Sequence, residues 1–424
     1  MAHSVSPRMK GTEMSVGPNH DPERSAHAAA APLQGIRVID ASRILAGPLC
    51  GVILGDLGAD VIKVEHPRGD ETRRWGPPFL GSEAGYFVWA NRNKRGVGLD
   101  LADPQGRAVF RDLCAHADVL LENFKLGTME RWGLGREDLS RLNPRLVHSR
   151  ISGFGTRGPK RDWLAFDFVL QAMTGWMSIT GRPDGEPTKV GVAIVDIFTA
   201  LYSCIGVLAS LQERDARGGA RHVDTSLWEA GIASLANVAA NWLLGGIEPR
   251  RFGNAHPNSV PYQTFPAADG PLALGVGSDE HYRIVCEILE RPDLASDPKF
   301  ATNAERQAHR DELVLLLQEL FRAKTVAEWV ELLQAHGVPA GPVNTVPQAF
   351  ADPQTDATDM ILELEHPELG PYRTTGSALK LDPPPAVRSR PAPLLGEHTD
   401  EVLGEWLAYD RARLDELRAS GALG

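Results

Sequence analysis

From residue 35 onward, short runs of apolar and β-branched residues alternate with segments of helical pattern. Strands are predicted at residues 35–40, 60–65, 118–124 and 145–155, with helices at 46–59 and 103–117 between them. Short strands that alternate with helices favour right-handed crossovers and a mostly parallel sheet. The sequence therefore predicts an α/β fold, in which ligands bind beyond the carboxyl ends of the strands.

The second half of the chain is more helical. A helix capped by Asp224, Thr225 or Ser226 is predicted to run through Leu243, followed by a loop over 253–270 and a strand over 272–278. Amphipathic helices come next, and a last helix starts at Thr399. Proline-rich stretches over 339–353 and 382–393 mark linkers. Domain boundaries are expected near residues 226 and 340, after a disordered tail over residues 1–31.

Composition excludes several classes of protein. The 424 residues carry 44 basic and 55 acidic side chains, a formal charge of −11, which argues against a nucleic-acid or anionic-membrane binder. Residues 192–211 are apolar enough for a membrane span, but Asp196 lies among them, which favours a buried helix. Four scattered cysteines exclude a disulfide framework and fit a cytoplasmic protein.

No familiar nucleotide or metal motif occurs. The turn after the first strand, ASRILAGP, has one glycine where a dinucleotide fold needs three. The histidines lack ligand spacing, so we predict no metal. Basic residues do cluster after the predicted strands, and they either neutralise the phosphates of a large anionic ligand or form a solvated edge; they are Arg73, Arg74, Arg92, Lys94, Arg95, Lys125 and Arg131.

Two acidic residues stand in apolar sequence, Asp196 in GVAIVDIFTAL and Asp167 in LAFDFVLQAM. Burying an unpaired carboxylate is costly, so each must be hydrogen-bonded, protonated or functional. Asp196 either caps a helix that starts at Ile197 or acts chemically. The two interpretations are compatible, because a helix N-terminus would keep the carboxylate ionised and nucleophilic.

The chain resembles the class III coenzyme A transferases, exemplified by formyl-CoA transferase and carnitine CoA-transferase. The resemblance is carried by residues 35–73, 91–101, 117–134, 143–155, 166–181, 191–211, 253–265, 337–346 and 392–403. It implies a Rossmann-like large domain that binds CoA and is built from both chain ends, residues 32–225 and 341–424. A smaller α+β domain, residues 226–340, is inserted between them, and two chains form an interlocked homodimer.

The resemblance also implies roles for individual residues. The nucleophile falls on Asp196, with Asp167 as a supporting residue of the site. The substrate positions are Gly253 and Asn254, whose N–H groups would stabilise an oxyanion. Arg43, which stands where formyl-CoA transferase has a histidine, is added as a candidate cation for the substrate. CoA-binding positions carried over from the family are Leu45, Ala46, His66, Leu99, Asp100, Asn123, Phe124, Lys125 and Arg131.

The implied reaction is acyl-CoA:carboxylate CoA transfer through an aspartyl anhydride and an aspartyl-CoA thioester, without a metal. The loop GNAHPNSVPY resembles branches that use succinyl-CoA and dicarboxylate acceptors, whose free carboxylate would need Arg43, Arg250 or Arg251. The alternative is an α-methylacyl-CoA racemase of the same fold, although Phe166 stands where that branch has its histidine. A non-catalytic CoA-binding protein is a third interpretation.

Overall fold

The computed structural model describes residues 30–387 and 389–424. Apart from residues 30 and 31, the predicted disordered tail over residues 1–31 lies outside this part of the chain. The strands are β1 Arg37–Asp40, β2 Asp60–Glu65, β3 Phe79–Leu80, β4 Glu83–Ala84, β5 Lys94–Gly98, β6 Val119–Glu122, β7 Val147–Ser152, β8 His222–Ser226, β9 Tyr262–Pro266, β10 Pro271–Gly275, β11 Ala340–Pro342, β12 Ile361–His366 and β13 Gly370–Thr375.

Helices account for most of the remaining secondary structure, together with one 3₁₀ turn at Glu71–Arg74. The helices are α1 Ala46–Asp56, α2 Gly85–Ala90, α3 Pro104–His116, α4 Thr128–Arg131, α5 Arg136–Leu142, α6 Asp167–Met173, α7 Trp176–Ile179, α8 Ile194–Arg217, α9 Leu227–Ala233, α10 Ala236–Gly245, α11 Asp279–Ile288, α12 Pro292–Ser296, α13 Asn303–Ala308, α14 Arg310–Phe321, α15 Val326–Ala335, α16 Val346–Phe350, α17 Pro353–Ala357, α18 Thr399–Leu407 and α19 Arg411–Ala419.

The central sheet is parallel and has six strands in the order β5-β2-β1-β6-β7-β8. Its order reverses next to β1, because β2 and β5 lie on one side and β6, β7 and β8 on the other. In a parallel α/β sheet, the carboxyl ends of the strands at such a reversal form the usual ligand crevice. The predicted α/β class with a parallel sheet is thus confirmed.

Each face of the sheet is covered by its own helices. Successive residues of β1 point to opposite faces, so that Ile39 packs with α3, α18 and α19, whereas Val38 packs with α1 and α8. Helix α8 is long and apolar enough to cross a membrane by length and composition alone, but its Ala200, Cys204 and Val207 are buried in this core. The buried helix predicted here is confirmed only in part, because Leu201, Tyr202 and Ile205 are exposed in the single chain.

Residues 260–338 form a core of their own. The antiparallel sheet β11-β10-β9 packs on the helices of this segment through fully buried side chains such as Leu272, Tyr282, Leu313 and Phe321. Farther along the chain, α18 and α19 return to the parallel sheet, where Arg95 of β5 pairs with Asp60 and with two glutamates of α18. The predicted domain boundaries themselves stay a prediction.

Several local predictions need correction. Two strands of the parallel sheet were not predicted: β5, and β8 over residues 222–226, where only a helix cap was predicted. Ser226 does cap α9 by accepting the N–H of Glu229. The helix predicted to run through Leu243 is two helices, because the chain turns before Ala236, whose φ is 48°. The loop predicted over 253–270 contains β9, and the hairpin β12–β13 was missed.

Candidate active site

A cleft of about 360 Å³ opens at the carboxyl ends of β1, β6 and β7. Its walls are the segments 43–46, 123–126, 151–153 and 161–166, together with Glu71, Trp75, Asp196 and Leu227. Asp196 therefore faces a cavity of the size that ligand pockets have. The described residues that line this cleft include no cysteine and no histidine, so its acidic and hydroxyl side chains are the candidate nucleophiles.

Asp196 is the third residue of α8. The expected cap on a helix that starts at Ile197 is wrong, because α8 begins at Ile194 and its N-cap residue, Ala193, has no side chain able to cap. The cap comes instead from Asp167, whose Oδ1 accepts the N–H groups of Val195 (2.8 Å) and Asp196 (3.2 Å). A residue from a neighbouring helix thus satisfies two free N–H groups of the first turn.

Asp167 is held in place by Gln171, one turn later in α6. The amide of Gln171 donates to Asp167 Oδ2 at 2.6 Å and to the carbonyl of Val192 at 3.2 Å, while its oxygen accepts the N–H of Val190 at 2.8 Å. Asp167 and Gln171 are both buried. This network connects α6, the segment that precedes α8, and the start of α8 into one rigid unit.

Asp167 influences the ionisation of Asp196. Burial of the Asp196 carboxyl, together with the negative charge of Asp167, raises the pKa of Asp196 to about 7. The helix N-terminus was expected to keep Asp196 ionised, but desolvation and the like charge outweigh it. The same two aspartates and burial raise the pKa of Tyr86, which places its hydroxyl in the field of this pair.

Buried charged side chains support the segment that joins β1 to α1. Lys63 donates to the carbonyl of Ser42 and to Asp70 Oδ2 at 3.2 Å, and both ions of the pair have fully buried side chains. Asp70 also accepts the N–H of Ile44 at 3.2 Å. Ile44 has a φ of 71°, which is unusual for a β-branched residue. The buried pair therefore holds a strained turn that forms one wall of the cleft.

The basic cluster predicted after the strands is mostly structural. Lys94 is buried and bonds Asp40 at 2.7 Å. The other three inward-facing members also pair with acidic groups: Arg73 with Glu65 and Glu83, Arg92 with Asp56, and Arg95 with Asp60, Glu401 and Glu405. The hypothesis that these four neutralise ligand phosphates is not supported, because their charges are already compensated.

The predicted CoA and substrate positions fall into three groups. Arg43, Leu45, Ala46, Asn123, Phe124 and Lys125 line the cleft with Asp196. His66, Leu99, Asp100 and Arg131 lie along the same carboxyl edge but outside that cleft. There His66 Nε2 is 3.7 Å from Asp100 Oδ1, and the side chain of Leu99 is buried in the core.

Gly253 and Asn254 form the third group. Within one chain they do not share the cleft of Asp196, because they line a separate cavity with Arg250 and Arg310. The N–H of Gly253 is bonded to the carbonyl of Gly181 at 3.0 Å. In this structure that N–H is therefore not free to stabilise an oxyanion.

The profile of CoA-transferase family III matches residues 33–399. The chain belongs to CoA-transferase family III. It is 39% identical to succinyl-CoA:glutarate CoA-transferase of Homo sapiens over 92% of this chain and 90% of that protein. It is 42% identical to succinate–glutarate CoA-transferase of Agrobacterium fabrum over 90% of this chain and 97% of that protein.

A solved structure agrees with this membership. The crystal structure of a CAIB/BAIF family protein from Brucella suis has a TM-score of 0.79 and 42% identity, and the match covers 89% of this chain and 100% of that one. The protein is therefore an enzyme that transfers CoA from one acyl group to another, and its substrates are CoA thioesters. The comparisons do not favour the racemase alternative, and the position that would carry its histidine is the exposed Phe166.

Sequence reasoning missed three residues of this family III CoA-transferase. Gln171 was detectable in principle, because it follows Asp167 by one helical turn in an apolar run. Asp70 and Tyr86 carried no such signal, since their places near the cleft depend on how the segment 66–90 folds back. In residues 30–387 and 389–424, no three His, Cys, Asp or Glu side chains group as a metal site, and the expectation of metal-free catalysis stays a prediction.

Proposed function

We propose that Asp196 is the nucleophile of an exchange of CoA between two carboxylic acids, with succinyl-CoA as donor and a small dicarboxylic acid as acceptor. One observation carries this assignment. Asp196 faces the cleft at the carboxyl edge of the sheet with a pKa of about 7, so that a large fraction of it is ionised and basic at neutral pH. A carboxylate of raised basicity is a better nucleophile than an ordinary aspartate.

The first half of the reaction forms an enzyme-bound thioester. The Asp196 carboxylate attacks the carbonyl of the donor thioester, and the C–S bond breaks to give an acyl–aspartyl anhydride and CoA thiolate. The thiolate then attacks the aspartyl carbonyl of the anhydride. The donor leaves as its free carboxylate, and Asp196 carries CoA as a thioester.

The second half repeats these steps in reverse. The acceptor carboxylate attacks the aspartyl thioester, which releases CoA thiolate and leaves a mixed anhydride with Asp196. The thiolate attacks the acceptor's carbonyl carbon, the product thioester departs, and the Asp196 carboxylate is regenerated. No redox agent or metal is consumed, and each step exchanges one acyl bond for another of similar activation.

Asp167 contributes as a positioning residue. Its hydrogen bonds to the N–H groups of Val195 and Asp196 fix the first turn of α8. Its negative charge also disfavours the free Asp196 carboxylate. Acylation removes the charge of Asp196, so the repulsion between the two carboxylates is relieved when the covalent intermediate forms, which favours the forward step.

CoA would lie along the carboxyl edge of the sheet. The positions carried over from the family follow four strands that end at that edge. They run from Leu45 and Ala46 through His66 and Asp100 to Lys125 and Arg131. Lys125 and Arg131 have no acidic partner within 4.0 Å among the described residues, in contrast to the compensated cluster. Holding the nucleotide there would fix the distant thioester against Asp196.

We also propose the interlocked homodimer and the two-domain division. Large apolar side chains are exposed on one chain, among them Leu243 and Leu244 of α10, 77% and 89% exposed, and Ile205 of α8. Large exposed apolar side chains of this kind are common at protein interfaces, which supports the proposed homodimer. Light scattering after size-exclusion chromatography should give twice the chain mass, independent of dilution, because interlocked chains separate only on unfolding. A dilution-dependent monomer would contradict it.

Chemical trapping tests the covalent step. Enzyme incubated with succinyl-CoA and hydroxylamine should acquire a hydroxamate on the peptide that contains Asp196, read by tandem mass spectrometry. Asp196→Ala should lose both the label and CoA exchange, whereas Asp162→Asn, at the exposed rim of the same cleft, should keep both. Full exchange activity in Asp196→Ala would reject the assignment.

A further inference from the structure

A second cavity, of about 930 Å³, lies between residues 179–183, residues 250–255 and the start of α14. Four arginines line it, Arg182, Arg250, Arg251 and Arg310, against a single carboxylate, Asp311. A half-enclosed space with such an excess of positive charge attracts anions. Which arginines are available to a ligand depends on the partners that each already has.

Two of the four arginines are already engaged. Arg251 donates to the carbonyls of Gly185 at 2.7 Å and Arg182 at 3.1 Å, so that its guanidinium braces the wall of the cavity. The guanidinium of Arg182 lies 3.3 Å from Asp184. Neither charge is free for a ligand without breaking these contacts.

Arg250 and Arg310 are the other two, and both lie over the ring of Phe252, at 4.7 and 5.3 Å from its centre. Among the described residues, Arg250 makes no hydrogen bond and no ion pair. Arg310 donates through Nη2 to the carbonyls of His256 and Pro257, at 3.0 and 3.1 Å. Its Nη1 is buried and has no hydrogen-bond partner.

This arrangement is electrostatically unfavourable when empty. Partial burial and the neighbouring charge of Arg250 lower the pKa of Arg310, and the adjacent carboxylate of Asp311 offsets this only in part. Two like charges on one aromatic ring, with a donor left unsatisfied, cost free energy unless an anion joins them. A planar carboxylate fits such a guanidinium pair, because it accepts two parallel hydrogen bonds.

We propose that Arg250 and Arg310 bind the carboxylate of a dicarboxylic acid that does not react, and thereby select dicarboxylate acceptors. The inference rests on the CoA transfer proposed above and assigns its acceptor site. Of the three arginines that sequence left open, Arg43 pairs with Glu71 at 3.1 Å and Arg251 braces the wall, which leaves Arg250. Asp196 does not line this cavity within one chain, and in the interlocked homodimer proposed above the cavity of one chain would adjoin the cleft of the second copy.

The kinetic test compares Arg250→Met with Arg411→Met in the full-length enzyme, with succinyl-CoA as donor and glutarate as acceptor. Arg411 of α19 lines neither cavity and forms an exposed ion pair with Asp415. Losing a charged hydrogen bond to the carboxylate should lower kcat/KM for glutarate about 10- to 100-fold in Arg250→Met. The kcat/KM of Arg250→Lys for glutarate should lie between the values for Arg250→Met and wild type, because lysine keeps the charge but lacks the planar guanidinium. Arg411→Met should stay near the wild type.

Free CoA distinguishes a carboxylate site from a phosphate site, because it carries phosphates and no carboxylate. Its inhibition constant should be the same in Arg250→Met and in wild type. A raised inhibition constant with unchanged use of glutarate would assign the arginines to a CoA phosphate and overturn the inference. The inference would also be overturned if Arg250→Met weakened glutarate use and CoA inhibition equally, or if it weakened neither.

Two further measurements separate this inference from the proposed function. Calorimetric binding of glutarate should weaken about 10- to 100-fold in Arg250→Met even if the wild-type enzyme exchanges no CoA, an outcome that would reject the proposed function alone. Co-expression of Asp196→Ala with Arg250→Met chains should restore activity, because one of the two shared sites in a mixed dimer is intact. Inactive mixed dimers would refute the shared site.

Discussion

The carboxyl pair at the start of α8 makes a prediction about stability that does not depend on activity. The pKa of Asp196 is about 7 in the folded protein, against 3.8 for an ordinary aspartate. A shift of about 3 units corresponds to about 4 kcal/mol at ~1.4 kcal/mol per unit. Because the folded-state pKa is raised, the protonated group stabilises the fold at low pH. That contribution is lost progressively as the pH rises from about 4 to about 7.

Asp196→Asn removes this loss, since an amide does not titrate. The variant should therefore gain stability over wild type as pH rises, and the difference in unfolding free energy should grow by about 2–3 kcal/mol between about pH 5 and pH 8. Urea unfolding followed by circular dichroism, repeated at several pH values, measures it. A constant difference between the two proteins across this range would refute the reasoning.

Asp162→Asn is the matched control for this experiment. Asp162 lies at the rim of the same cleft, but its side chain is 67% exposed. Its carboxyl is solvated in both the folded and the unfolded chain, so the substitution should leave the pH dependence of stability as in wild type. An equal pH-dependent gain in the control would assign the effect to the net charge of the protein.

Three further changes have expected outcomes of different kinds. Asp167→Asn removes the like charge beside Asp196, so the rising limb of kcat/KM against pH should move below pH 7. Lys63→Met leaves Asp70 buried without its ion partner and should lower the unfolding free energy by about 3–5 kcal/mol in urea titrations. Gly106→Ala should lower stability by about 1–3 kcal/mol, because its Cβ would lie 1.9 Å from the carbonyl oxygen of Asp100.

Each of these changes has a control or a contradicting outcome. If the rising limb of kcat/KM against pH stays at pH 7 in Asp167→Asn, the charge of Asp167 does not affect the pKa of Asp196. Lys299→Met, which breaks an exposed ion pair with Glu312, should leave the unfolding midpoint nearly unchanged. Gly277→Ala meets no atom within 4 Å, and a loss of stability there as large as in Gly106→Ala would contradict the steric explanation.

Features that depend on neighbouring residues along the chain were predictable from the sequence. The strands β1, β2, β6 and β7 were predictable because their apolar runs are flanked by helical segments, and Asp196 was detectable because a carboxylate is unusual in an apolar helix. Strand β8 escaped because HVDTS has no apolar run, and only the edge of an existing sheet makes it a strand.

The relation between Asp167 and α8 was beyond any reading of local sequence. Residues 28 and 29 positions apart make the cap, and cap rules consider only the residue that precedes the helix. The direction of the pKa shift of Asp196 failed for the same reason. It depends on a second carboxyl group and on burial that only the folded chain brings together.

The three-stranded sheet and its helices, residues 260–342, have a hydrophobic core that shares no member with the two cores of the parallel sheet. Substitutions at Arg250 and Arg310, which line the second cavity and belong to none of these cores, should therefore leave the packing at the carboxyl edge of the parallel sheet unchanged. If the acceptor site proposed above is correct, selectivity for the acceptor can change during evolution while the residues proposed to bind CoA stay the same.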